Sequence, residues 1–174
     1  MKRLVPIGLV ILLTFTATPA LAKDLVQNET AGPYRLKLEL LPPEQFYTAK
    51  QVSTDEAKAG GMLILGGAEP IQPDASSHPD HHLIVHVYDK ATHQPLQDAK
   101  VQLTLQRLNS EGQPIGKAEA VPVVKMQAIA SKDGKDAGII QSTHYGNNVT
   151  LAPGDYRVVA DANGHKATFK IDVS

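Results

Sequence analysis

The run His82-Leu-Ile-Val-His-Val-Tyr88 decides the fold. Leu83, Val85 and Val87 alternate with His82, Ile84, His86 and Tyr88. A period of two puts the first set on one face of a β-strand and the second on the other. Working outward, the same rhythm recurs. Tyr34-Arg-Leu-Lys-Leu-Glu-Leu40 sets three leucines against Arg35, Lys37 and Glu39 and is stopped by Pro42-Pro43. Val101, Leu103 and Leu105 alternate with Gln102, Thr104 and Gln106, and Tyr156, Val158 and Ala160 with Arg157, Val159 and Asp161. Met62-Leu-Ile-Leu65 is a short apolar strand between glycine pairs, and residues 121–130 and 165–173 read as further strands. Residues 44–59 read as a loop or a short helix, and residues 68–79, with three prolines, as a loop. Nothing after the first residues has the pattern of a long amphipathic helix. The chain is therefore expected to be all-β, an immunoglobulin-like antiparallel β-sandwich of about seven to eight strands.

The N-terminus reads as an address. Met1-Lys2-Arg3 precedes an apolar run from Leu4 to Phe15, and Ala20-Leu21-Ala22 has the small-x-small form that signal peptidase accepts. The expectation is a signal peptide over residues 1–22, cleavage after Ala22, and one sandwich domain over residues 23–174. The apolar run is shorter than the roughly 20 residues that span a bilayer, so no membrane span is expected after cleavage. The style of the signal points to the periplasm.

Composition narrows the chemistry. Of 174 residues, seven are His and three Met, with no Cys and no Trp. Without Cys there is no disulfide framework, thiolate zinc site or cysteine nucleophile. A formal net charge of -1 offers no basic field for nucleic acid. No Gly-x-Ser-x-Gly elbow, His-Glu-x-x-His helix or phosphate-cradling loop occurs, so the chain is not read as an enzyme.

Imidazoles and thioethers remain as the informative side chains, and both suit copper and its neighbours. His78-Pro-Asp-His-His82 gathers three His and an Asp within five residues. His82 and His86 share a strand face, but four residues at about 3.3 Å each separate their Cα atoms by ~13 Å. Two metal–nitrogen bonds of about 2 Å do not easily close that gap. His82 is the stronger ligand candidate, whereas His86 reads as a core-edge histidine bonded to a neighbouring strand. His144 lies in Thr-His-Tyr-Gly-Asn-Asn, whose Gly146 and Asn pair read as a tight turn aiming the imidazole. His93 and His165 read as solvated turn residues. Met62 and Met126 are the thioethers left after cleavage.

Two resemblances extend this reading. Val87-Tyr-Asp-Lys-Ala-Thr-His-Gln-Pro-Leu-Gln-Asp-Ala-Lys-Val101, with Leu151-Ala-Pro-Gly-Asp-Tyr-Arg-Val158, is similar to small immunoglobulin-like modules of the carboxypeptidase-regulatory and prealbumin-like type. Thr143-His-Tyr-Gly-Asn-Asn-Val149 followed by Pro153-Gly-Asp-Tyr156 resembles the periplasmic iron-transport family, small exported copper-binding proteins that assist iron uptake. That resemblance implies a metal site of His82, His144 and Met126, to which His81 and Met62 are added as candidates. It implies copper or iron as the metal, an inner-membrane transporter as partner, and a homodimer. Ile84 stands where the family carries Glu, and Gln141 where it carries Asp, so a site with fewer carboxylates follows. The expected function is metal binding for transport or homeostasis. A metal-free immunoglobulin-like module binding a protein or envelope glycan is the alternative.

Overall fold

The computed structural model describes residues 25–54, 56–130 and 139–174, and of residues 139–141 the backbone alone. The expected signal peptide lies outside the described residues. Among those described, the chain forms β1 (Leu25–Ala31), β2 (Tyr34–Leu41), β3 (Phe46–Tyr47), the short helix α1 (Ala49–Ser53), β4 (Met62–Gly67) and β5 (His81–Asp89). It continues through β6 (Val101–Arg107), β7 (Glu119–Val121), β8 (Val124–Ile129), β9 (Ile139–Val149), β10 (Gly154–Ala162) and β11 (His165–Val173). One sheet has the order β1-β2-β5-β9-β8-β4-β3, and a second has the order β11-β10-β6-β7. Apart from the parallel pair β3–β4, every ladder is antiparallel. The molecule is an all-β sandwich.

Alternation explains the main core. Leu36, Leu38 and Leu40 of β2 and Leu83, Val85 and Val87 of β5 meet Leu103, Leu105, Val158, Ala160, Phe169 and Ile171 of the four-stranded sheet in one buried cluster. Each such aliphatic or aromatic side chain contributes about 1.5–3 kcal/mol by leaving water.

The strand count exceeds the seven to eight expected from the pattern, for identifiable reasons. β1 carries Gln27, Asn28 and Glu29 and lacks an apolar rhythm because it is an edge strand. Backbone pairing with β2, closed by a turn with Gly32 at φ 57°, fixes it instead. The expected single strand over residues 121–130 is two strands. Pro122 interrupts the ladder, and the chain passes there from β7 in one sheet to β8 in the other.

The largest departure concerns the segment read as a tight turn. Thr143 to Val149 belongs to β9, eleven residues long and central in the seven-stranded sheet. Gly146 does not bend the chain. A Cβ there would lie 1.9 Å from the Leu83 carbonyl oxygen, so glycine permits the close approach of β5.

Candidate metal centre

Strand β5 is buried on both faces from His82 to Val87. Behind the main core, Ile84 joins Phe46, Met62, Val124 and Met126 in a second buried cluster on the reverse face of the large sheet. The histidines sit in this second cluster. Register explains why: Val85 pairs with Tyr145, so the next residues, His86 and His144, come side by side with ring centroids 5.0 Å apart. On the far side of β9, His144 pairs with Met126 of β8, which in turn pairs with Ile64 of β4. A lateral row of His86, His144 and Met126 thus crosses three central strands.

His144 is 2% exposed. Its Nδ1 lies 3.3 Å from the Ser142 carbonyl oxygen, and its Nε2 lies 3.2 Å from the Met62 sulfur. A neutral imidazole has a single N–H. With the proton on Nδ1, toward the Ser142 carbonyl, the Nε2 lone pair faces Sδ; with it on Nε2, the ring donates to Sδ. Burial, reinforced by the nearby His86 and His82, pushes the His144 pKa from 6.5 to about 3 and keeps the ring neutral. In the Nδ1–H tautomer nitrogen and sulfur face one another without a proton, an arrangement that a soft cation would complete.

His82 is fully buried and touches Phe46 edge-on, with centroids 5.6 Å apart. Its tautomer follows from Asn148. The Asn148 amide nitrogen donates to the carbonyls of Glu44 and Ile71, so its oxygen is the acceptor facing His82 Nδ1 at 2.8 Å. Nδ1 of His82 therefore donates, leaving Nε2 as a bare lone pair without a hydrogen-bond partner among the described residues. Burial lowers the His82 pKa to about 4, against the opposing effect of the Asn148 contact. An Nδ1–H held by a side-chain oxygen with Nε2 left open is the usual preparation of a metal-binding histidine.

His86 completes the group. Its Nε2 approaches the Glu39 carboxylate at 3.6 Å, and its Nδ1 is buried without a hydrogen-bond partner among the described residues. Glu39 also pairs with Lys37. The contact with His86, then that with Lys37, outweigh burial and hold the Glu39 carboxyl at a pKa of about 2. The reading of His86 as bonded to a neighbouring strand matches its Glu39 contact on β2. That reading omitted the second contact, with His144.

The residues expected from sequence are thus sorted. Met62 touches His144, and Met126, fully buried, neighbours it in the ladder. His82 does not stand opposite His144. It pairs with Asn148, four residues along β9, and reaches the same cluster through Phe46. His81 turns to the other side of β5 and binds Asp80 at 2.6 Å, away from the cluster. His78, with φ 45°, is exposed in the preceding loop. Among the described residues no three His, Asp, Glu or Cys could by themselves hold a metal ion. A donor outside that set that touches His144 is the Met62 sulfur.

Asn147 and Asn148 were read only as turn formers. Both are fully buried, and they fasten the covering loops: Asn147 binds Glu69, Ile71 and Pro122, and Asn148 binds Glu44 and Ile71. Two adjacent Asn between Tyr145 and Val149 were the available signal.

The fold and these donors together define an all-β sandwich with a His/Met cluster behind its core. Compared with known proteins, the chain matches no family model, no curated protein and no solved structure.

Proposed function

We propose that the protein is an exported, periplasmic metal-binding protein that takes up copper or iron reversibly for transport or homeostasis, as the resemblance to the periplasmic iron-transport family implies. The observation that carries this reading is the 3.2 Å approach of His144 Nε2 to Met62 Sδ inside the buried cluster. His144 and Met62 would anchor the ion, with His86 beside His144 and Met126 as second thioether, while His82, four residues along β5 from His86, would offer its bare nitrogen farther along the same face. In this reading these groups coordinate, and the proposed role is binding. The ion itself would supply only charge and its coordination preference. An inner-membrane transporter as recipient and a homodimer belong to the same reading.

Titration of the chain from Lys23 onward with Cu(I), Cu(II) and Fe(II), beside a His82→Ala/His144→Ala variant, tests it. Saturable binding lost in the variant supports the site, and equal binding by both refutes it.

One feature favours the alternative of a metal-free interaction module. A cavity of about 460 Å³ lies at the β6–β7 end, lined by Leu105, Arg107, Ile115, Lys117 and Tyr156, with Ile115 half exposed. It lacks His and Met, so ligand binding there would leave the His82/His144 variant unimpaired.

A further inference from the structure

Resting on that reading, we infer that the site selects a soft monovalent cation, Cu(I), over Cu(II) and other divalent ions. The anchoring donors are neutral: the imidazole of His144 and the thioethers of Met62 and Met126, with His82 farther along the same face and His86, beside His144, turned toward Glu39. The ion would sit among side chains that are almost wholly buried, Met126 fully so, His144 at 2% and Met62 at 6% exposure.

The nearest carboxylate does not alter this balance. Glu39 is engaged by Lys37 and faces His86, and Arg35 lies 4.2 Å over the Tyr88 ring, which stacks on His86. Basic groups therefore match or exceed acidic ones on this side of the cluster.

Charge magnitude decides the preference. The cost of moving an ion from water into a low-dielectric interior grows with the square of its charge, so a divalent ion pays roughly four times what a monovalent one does. Divalent ions in proteins offset that cost with carboxylates, thiolates or bound water, and the neutral donors here offer none of the first two. Ile84 and Phe46 fill the space beside the donors with carbon. Two- or three-coordinate Cu(I) is satisfied by imidazole nitrogen and thioether sulfur, which the His144–Met62 contact already brings together.

The test uses the chain from Lys23 onward with two monovalent probes, Cu(I) held reduced against a chromophoric chelator and redox-inert Ag(I). Cu(II) and Zn(II) serve as divalent probes. Cu(I) and Ag(I) are expected to bind roughly 100-fold or more tightly than either divalent ion. Met62→Leu conserves volume and removes sulfur, so it is expected to weaken the monovalent ions about 10- to 100-fold while circular dichroism stays unchanged. Cu(II) binding as tight as Cu(I), or monovalent binding indifferent to Met62→Leu, overturns the selectivity and leaves the metal-binding reading standing. Failure of all four ions to bind overturns both.

Discussion

The two faces of β5 differ in what their burial achieves. Leu83, Val85 and Val87 enter the main core beside carbon from both sheets, and each contact there stabilises the fold. One residue out of phase, His82, Ile84 and His86 are buried too, yet two of the three carry nitrogens with no partner among the described residues. A buried polar atom left unpaired costs about 1–3 kcal/mol. The first face holds the molecule together. The second leaves buried nitrogens open at a cost in stability, as the proposed binding role requires.

The contrast can be broken most severely from the core side. Leu83→Ala is expected to lower unfolding free energy by about 2–5 kcal/mol in chemical denaturation. A loss under about 1 kcal/mol would mean that the Leu83 face is not the principal core.

Acid should attack the other face. His82 and His144 have folded pKa values depressed below the ordinary 6.5, to about 4 and about 3, chiefly by burial. The unfolded chain therefore binds more protons, and stability is complete above pH 6.5 and falls as pH drops toward those values. For His82 alone the loss amounts to about 3 kcal/mol by pH 4. Glu39, held at about 2, acts in the same direction lower down, from its ordinary 4.5 toward 2. Denaturation midpoints measured from pH 7.5 to 4 should hold down to about pH 6.5 and fall below it, and a flat profile would contradict the buried neutral histidines.

A smaller effect is expected at the joint between face and covering loops. Asn148→Ala removes the acceptor of His82 Nδ1 and the donor to Glu44 and Ile71, for about 1–3 kcal/mol. Faster exchange of the Glu44 amide, which donates to the Asn148 oxygen, would locate the damage; unchanged exchange there would show that Asn148 does not fasten the loop.

The least stability change is expected from His144→Leu. It replaces a buried imidazole and its long contact with the Ser142 carbonyl by carbon, so the metal-free protein should stay within about 1 kcal/mol of the parent. It should nevertheless lose metal binding. A strong destabilisation would place His144 among the structural residues instead.

The first face was legible in the sequence because alternation at Leu83, Val85 and Val87, and at Leu36, Leu38 and Leu40, reports a half-buried strand directly. The second face was legible in part. Ile84 between two histidines is the local sign that the polar side of β5 is also covered. What the pattern could not carry was the strand state of β9: Gly146 and the two Asn favour turns on their own, and pairing on both sides overrides that preference. With β9 read as a turn, the partner of His144 was out of reach, since its identity rests on the register of β5 against β9. The contact between His144 and Met62, 82 residues apart, has no local signature at all.

Nitrogen-15 and methyl NMR of the chain from Lys23 onward, titrated with Ag(I), tests the central claim most directly. A single equivalent should shift His144 Nε2 and the Met62 methyl together while His78 and His93 stay fixed. Shifts confined to His78, His81 and His93, with His144 and Met62 unmoved, would contradict it.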